Sequence, residues 1–118
     1  MENAELSIVI PVFNEEVIIT QTLQKISSYF KGKNYEIIIV DDGSSDETCN
    51  KVLSFNSFNV KLLRNYKNFG KGYSVRRGVL HSTGALVLYT DADLSTPIED
   101  FEKLEKMLKN GFDIAMGS

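Results

Sequence analysis

The chain has 118 residues, of which 42% are hydrophobic and 25% are charged, a balance that is typical of a globular protein. This length supports one hydrophobic core and excludes two independent domains. The formal net charge of −3 gives no reason to expect a nucleic-acid partner, which generally needs a basic face. The lone cysteine, Cys49, excludes an internal disulfide framework and favours a reducing, cytoplasmic location.

No segment of the chain is predicted to enter a membrane. Apolar runs all fall short of the roughly 18 residues that a membrane span needs, and the first residues do not resemble a signal peptide. The last two residues directly follow an apolar run, so we interpret the chain as part of a longer protein. We therefore expect a soluble chain, with membrane association possible only through sequence beyond residue 118.

Apolar runs and helical patterns alternate along the chain. The runs cover residues 6–12, 35–40, 60–63, 85–90 and 112–116. Three of them are nearly continuous, which is typical of parallel strands buried on both faces. Apolar residues recur at helical spacing in two segments, at Ile19, Leu23, Ile26 and Phe30 and again at Ile98, Phe101, Leu104 and Leu108. The alternation predicts right-handed βαβ crossovers and an open, mostly parallel α/β sheet of five strands with helices on both faces.

A polar cluster follows each of the first four predicted strands. The clusters begin at Pro11, Asp41, Asn65 and Asp91. In open α/β sheets, ligands bind beyond the carboxyl ends of the strands, where parallel strands share one edge. We therefore expect the four clusters to converge on a single binding site.

The fourth cluster contains an Asp-x-Asp motif, Asp91-Ala92-Asp93. Residues two apart on a strand point the same way, and two close carboxylates repel unless a cation lies between them. Mg²⁺ or Mn²⁺ held by these two carboxylates and by substrate phosphates would remove the repulsion between them. The alternative is an acid-rich loop in which Asp93 only accepts hydrogen bonds from nearby backbone amides.

The second cluster combines a helix start with two acids. Ser44 and Glu47 have the spacing of a capping box, which predicts that Ser44 begins the second helix, and Gly43 suits a tight turn. The two aspartates before this turn have no such local explanation. We choose Asp42 as the acceptor of hydrogen bonds from a base or a ribose.

The other two clusters each have two interpretations. Asn14 is predicted to cap the first helix and Glu15 to favour its positive end, while Pro11 and Phe13 can form one wall of a base pocket. Lys71 stands between two glycines, which either let the chain turn into a helix or bring the lysine close to a diphosphate.

Four segments together resemble glycosyltransferase family 2, in order and in spacing. They read Ser-Ile-Val-Ile-Pro-Val-Phe-Asn-Glu, Val-Asp-Asp-Gly-Ser-Ser-Asp, Asn-Phe-Gly-Lys-Gly and Thr-Asp-Ala-Asp-Leu-Ser-Thr-Pro. The last two are most similar to polyprenyl-phosphate glycosyltransferases of the dolichyl-phosphate glucosyltransferase kind. The resemblance implies a GT-A (Rossmann-like) fold, present here as a partial domain. Residues 1–118 would bind the nucleotide sugar, and the acceptor-binding part would lie beyond residue 118.

The resemblance also implies roles for individual residues. Those expected around the base and ribose are Pro11, Phe13, Glu15, Val40 and Asp42. Asp91 and Ala92 would contact the nucleotide, with Lys71 as a further donor-binding candidate. Asp93 would bind Mg²⁺ or Mn²⁺ and act in catalysis together with Asp91. Ser95 stands where related enzymes have a glutamine metal ligand, and because serine is shorter its contact would pass through water.

The implied reaction is a single inverting displacement in which a hexose, expected to be glucose from UDP-glucose, passes to a polyprenyl or dolichyl phosphate. No general base is nominated, because a phosphate acceptor is already anionic. A family 2 enzyme with a saccharide acceptor and a donor-binding fragment without activity are the alternatives. A sugar nucleotidyltransferase is disfavoured because it needs a glycine-rich loop after the first strand. A response-regulator receiver is disfavoured because the acids follow strands two and four.

Overall fold

The computed structural model describes residues 4–55, 57 and 59–94, and within them four strands alternate with three helices. The elements are β1 (Leu6–Val12), α1 (Ile19–Tyr29), β2 (Tyr35–Asp41), α2 (Thr48–Phe55), β3 (Val60–Arg64), α3 (Lys71–Leu80) and β4 (Leu86–Tyr89). The predicted strand at residues 112–116 and the predicted helix at residues 98–108 lie outside the described residues. None of the helices in the described part has the length and apolar character needed to cross a membrane.

The four strands form one parallel sheet in the order β3-β2-β1-β4, which confirms the predicted α/β class. Val9, at the middle of the sheet, lies opposite Ile38 on one side and Tyr89 on the other. The chain proceeds outward from β1 to β2 and β3, and then crosses to β4 on the other side of β1. The strand order therefore reverses between β1 and β4, and this switch point is where ligands bind in open parallel sheets.

Helices cover both faces of the sheet, as predicted. The apolar stripe of α1 and its C-cap, from Ile19 to Phe30, is buried with Val52 of α2 against one face. On the other face α3 packs closely, because a Cβ atom on Gly78 would overlap the side chain of Val9. The glycine thus sets the approach of α3 to the centre of the sheet.

The predicted start of α2 at Ser44 is wrong. The helix begins at Thr48, whose backbone N–H donates to Asp46 Oδ1 at 3.0 Å, so Asp46 satisfies the helix start. Ser44 Oγ instead accepts a hydrogen bond from the backbone N–H of Asn14 at 2.8 Å. A tertiary contact between neighbouring loops has replaced the local cap.

The predicted N-cap at Asn14 is wrong for the same reason. Asn14 has a φ of 53°, and its Oδ1 accepts from the backbone N–H of Ser45 at 2.9 Å, while α1 begins only at Ile19. The two side chains therefore join the loops that follow β1 and β2. This pairing holds the ends of the two strands side by side at the edge where the site lies.

A buried carboxylate joins three strands and the loop before β4 at the opposite edge. Glu36 is 4% exposed, and its Oε2 accepts from Ser7 Oγ at 2.6 Å and from the backbone N–H of Thr83 at 2.7 Å, while Oε1 pairs with Lys61 Nζ at 2.7 Å. Burial alone raises the pKa of Glu36. The contacts with Lys61, Ser7 and Thr83 outweigh it and lower the pKa to about 2.

Candidate functional site

A cleft of about 320 Å³ opens at the carboxyl edge of the sheet, where the strand order reverses. Its lining comes from the end of β1, from the loops after all four strands and from the first residue of α3. It consists of Pro11, Val12, Phe13, Glu15, Asp42, Asn68, Gly70, Lys71 and Asp91. The expectation that the four polar clusters converge on one edge is therefore confirmed. Parallel strands bring it about, because their carboxyl ends share one edge whatever their separation in sequence.

Six of the residues predicted for the site line this cleft, whereas Val40, Ala92 and Asp93 do not. Val40 is fully buried in the sheet, and the side chain of Ala92 is buried in the core. The backbone carbonyl of Ala92 accepts a hydrogen bond from Thr22 Oγ1 at 2.5 Å, so that it too is engaged within the protein. Asp93 follows on the exposed side of the same turn, and Ser95 lies outside the described residues.

Asp42 lines the cleft, but its carboxylate is already engaged by the loop between β3 and α3. The side chain is 5% exposed. Its Oδ1 accepts from Asn65 Nδ2 at 2.9 Å and from the backbone N–H of Phe69 at 2.8 Å. Its Oδ2 accepts from the backbone N–H of Gly70 at 2.9 Å. The predicted contact of Asp42 with a base or a ribose stays a prediction, and the hydrogen bonds show that its carboxylate holds this loop.

These hydrogen bonds also set the charge of Asp42. Burial raises its pKa, but the bonds from Phe69, Asn65 and Gly70 have the larger combined effect and lower it. The carboxylate is therefore ionised at neutral pH. Sequence reasoning missed this role because the partners lie 23 to 28 residues further along the chain, where no local pattern marks them.

The same network extends to α3 through Asn65. Its Nδ2 also donates to Ser74 Oγ at 2.9 Å, and its Oδ1 accepts from Arg77 Nη1 at 2.8 Å. Arg77 thus contributes to the packing of α3 on the end of β3. The position of the α3 N-terminus, and of Lys71 on its first turn, is consequently determined by buried polar contacts.

Lys71 forms an ion pair across the cleft with Asp91. The distance from Nζ to Oδ1 is 2.5 Å, and both side chains remain partly exposed. The hydrogen bond with Asp91 raises the pKa of Lys71 against a small opposing effect of burial. The preceding Gly70 has a φ of 99°, which a side chain would disfavour. The glycine therefore makes the turn, as one interpretation of the Gly-Lys-Gly segment predicted, and Lys71 lines the cleft. The contact of Lys71 with a diphosphate stays a prediction.

Carboxylates accumulate at one side of the cleft. The pKa of Glu15 is raised, first by its own burial and then by the negative charges of Asp93, Asp46 and Asp91. Such a surplus of negative charge favours a bound cation. A cation bound here, in addition to the ammonium of Lys71, would reduce the repulsion among these carboxylates.

The residues fit a divalent cation that is shared with a ligand. Within residues 4–55, 57 and 59–94, no three His, Cys, Asp or Glu side chains lie close enough to form a metal site of their own. Mg²⁺ and Mn²⁺ suit sites that supply one or two carboxylates and leave the other positions to water and phosphate oxygens. Asp91 and Asp93 offer that number at the end of β4.

The family model described as Glycosyl transferase family 2 matches residues 7–118. The chain is 37% identical to a dolichyl-phosphate beta-glucosyltransferase from Dictyostelium discoideum, over 100% of this chain and 41% of that protein. It is 38% identical to a dolichol-phosphate mannosyltransferase from Pyrococcus furiosus, over 97% of this chain and 33% of that protein. The chain thus spans about two fifths or less of the length of these relatives.

A solved structure with a similar fold carries a metal and a nucleotide. Glucosyl-3-phosphoglycerate synthase from Mycobacterium tuberculosis, in complex with Mn²⁺, UDP and phosphoglyceric acid, superposes with a TM-score of 0.73 at 25% identity. The match covers 94% of this chain and 41% of that one. It confirms the GT-A fold that the sequence motifs implied.

Proposed function

Because the chain belongs to glycosyl transferase family 2, we propose that it is the donor-binding part of an enzyme that transfers a hexose from a nucleotide sugar to a polyprenyl phosphate, with inversion. The observation that carries this proposal is the cleft at the switch point, where an apolar wall, a lysine and a carboxylate meet. The two relatives named for transfer to dolichyl or dolichol phosphate support the lipid acceptor.

Each part of the cleft suits one part of a nucleotide sugar. The rings of Pro11 and Phe13 offer an apolar wall for the base, and Phe13 is exposed enough to be stacked upon. Lys71 offers a positive charge to the diphosphate at the start of a helix. Asp91 and Asp93 would hold Mg²⁺ or Mn²⁺ at the same phosphates, a role that the Mn²⁺ and UDP in the mycobacterial synthase supports.

A divalent cation bound there supplies charge neutralisation for the departing nucleoside diphosphate. Lys71 contributes a second positive charge once its ammonium leaves Asp91 for the phosphates. The buried network around Asp42 keeps the first turn of α3 in place and so limits the reorganisation that binding needs. The acceptor phosphate is already anionic, so we assign no residue of this chain as a general base.

The donor that we propose is UDP-glucose. The relatives include both a glucosyltransferase and a mannosyltransferase, and the UDP in the mycobacterial synthase supports uridine. We also propose that the acceptor-binding part lies beyond residue 118 and that the whole protein works at the cytoplasmic face of a membrane. The lone buried cysteine, which needs no oxidising compartment, supports that location.

Titration calorimetry tests the donor site with UDP, UDP-glucose, GDP and ADP, each in Mn²⁺ and in EDTA. We expect UDP and UDP-glucose to bind more tightly than GDP and ADP, and to do so only with Mn²⁺. A preference for GDP would assign a mannosyl donor instead. The absence of nucleotide binding by the folded chain would contradict the proposal.

The change Asp93→Asn tests the metal role, because it keeps the shape of the side chain and removes the charge that a divalent cation needs. We expect the stabilisation by UDP with Mn²⁺, measured as a shift in Tm, to be largely lost. Glu47→Gln is the matched control, since this exposed carboxylate pairs with Asn50 outside the cleft. An unchanged Mn²⁺ response in Asp93→Asn would show that the cation lies elsewhere.

A further inference from the structure

Basic residues are concentrated in one part of this acidic chain. All 16 aspartates and glutamates lie outside residues 48–90, whereas that segment contains seven lysines and arginines. Four of these side chains are exposed on the loop between β3 and α3 and on the elements beside it, namely Arg64, Lys67, Lys71 and Arg76. The net charge of −3 therefore conceals a local surface of positive charge.

Exposed aromatic rings lie within this basic surface. Tyr66 is 86% exposed, and its ring meets the ring of Phe69 edge to face at a centroid distance of 5.0 Å. Phe69 in turn lies 4.6 Å from Tyr73, which is half-exposed. Lys67 Nζ lies over the rings of Tyr66 and Phe69, at 5.8 and 5.2 Å from their centroids.

The outer face of α3 continues the same surface. Tyr73, Arg76 and Leu80 recur at the spacing of neighbours on one helix face, opposite the buried Ser74 and Gly78. Leu80 is largely exposed. We call the six residues of this surface the aromatic–basic patch, and they are Tyr66, Lys67, Phe69, Tyr73, Arg76 and Leu80.

The patch is held rigidly at the rim of the cleft. Asp42 accepts hydrogen bonds from the backbone of Phe69 and Gly70, so the loop has a defined conformation. The neighbours of Phe69 in sequence, Asn68 and Gly70, line the cleft itself. A surface that contacts the patch is therefore adjacent to the donor site.

We propose that the aromatic–basic patch docks the chain on an anionic bilayer surface. Tyrosine rings with their hydroxyls suit the headgroup region, and lysines and arginines are attracted to anionic lipid. The exposed Leu80 and Tyr73 supply apolar area on a helix that presents basic residues beside it. From the sequence we expected membrane association only through residues beyond 118. The proposed docking adds a membrane contact within the described residues.

This proposal rests on the proposed function in one respect. An acceptor that is carried in a bilayer reaches the cleft from the bilayer, and the patch borders the cleft.

A single-stranded nucleic acid also binds aromatic and basic surfaces. It is disfavoured here because Lys67 covers the rings on which bases would stack, and because carboxylates crowd the adjoining cleft.

The absence of tryptophan from the sequence allows a direct test. We would place a single tryptophan in the patch with Tyr66→Trp and, as a control, on α2 with Leu53→Trp, which is 62% exposed on the other face of the sheet. Emission is recorded with vesicles of phosphatidylcholine alone and with about 30% phosphatidylserine. We expect a blue shift and protection from aqueous quencher for Tyr66→Trp on the anionic vesicles, and neither change for Leu53→Trp.

Charge variants give the second arm of the test. The double change Lys67→Gln and Arg76→Gln should lower the affinity for the anionic vesicles, measured by co-sedimentation, about 30-fold. The matched double change Lys25→Gln and Lys31→Gln, at exposed positions on and just after α1, should leave it unchanged. Equal loss in both double variants, no binding of the full chain to vesicles, or tighter binding to single-stranded RNA would overturn the proposal.

Nucleotide binding separates this proposal from the proposed function. Neither double variant alters a residue that lines the cleft, so both should bind UDP with Mn²⁺ as the unaltered chain does. A chain that binds UDP but no vesicles refutes the docking proposal alone. A chain that binds vesicles through the patch but no nucleotide refutes the proposed function alone.

Discussion

Replacing Asp42 by asparagine tests whether this carboxylate positions the loop between β3 and α3. Its two oxygens accept three hydrogen bonds, from the side chain of Asn65 and from the backbone of Phe69 and Gly70. Asparagine has the same shape but one oxygen, so its amide N–H₂ must face at least one of these donors. That donor loses its acceptor, and because the site is almost fully buried, water does not replace it.

The size of the effect follows from these contacts. A hydrogen bond to a charged group contributes about 1.5–3 kcal/mol, and leaving a buried donor unsatisfied costs about 1–3 kcal/mol. Asp42→Asn loses at least one such bond and weakens the others, so we expect the free energy of unfolding to fall by about 2–3 kcal/mol. In a domain of this size that fall corresponds to a lower Tm by about 6–12 °C.

Urea denaturation measures this loss, and calorimetry then distinguishes positioning from direct base recognition. If Asp42 positions the loop, Asp42→Asn weakens the binding of UDP, GDP and inorganic pyrophosphate alike in Mn²⁺, because Gly70 leads directly to Lys71. If Asp42 contacts the base instead, the affinity for pyrophosphate is unchanged and only the affinity for the nucleotides falls. An unfolding free energy equal to that of the unaltered chain, or a loss confined to UDP, would refute the positioning role.

Two further predictions concern charges elsewhere in the fold. Glu36 has a folded pKa of about 2 against an ordinary value of 4.5, so its contribution of about 3 kcal/mol is present above about pH 4.5 and is lost as the pH falls towards 2. The free energy of unfolding should therefore depend less steeply on pH between about 4.5 and 2 in Glu36→Gln than in the unaltered chain. An equal dependence on pH in the two proteins would contradict the low pKa of Glu36. Lys71→Met should leave Tm nearly unchanged, because its ion pair with Asp91 is partly exposed, yet weaken UDP binding with Mn²⁺ about tenfold. Equal UDP affinity in calorimetry would exclude a role for Lys71 at the phosphates.

The sequence by itself determined the class of fold and the edge of the sheet that carries the site. Nearly continuous apolar runs mark strands that are buried on both faces, and the stripe from Ile19 to Phe30 marks a helix that packs on them. Polar clusters after each strand then have to meet, because parallel strands end on the same side. The four sequence motifs also identified the family, because four motifs in the right order and spacing are far more specific than any single motif.

Only the tertiary structure decided which partner each polar side chain takes. Ser44 and Asn14 have the local signature of helix caps, yet each is engaged by the loop about 30 residues away. Asp42 takes its donors from the loop beyond β3, and Lys71 meets Asp91 across the cleft. Spacing along the chain predicts hydrogen bonds within one turn of helix. It carries no information about which loops the sheet brings together, and at this edge those contacts outweigh the local ones.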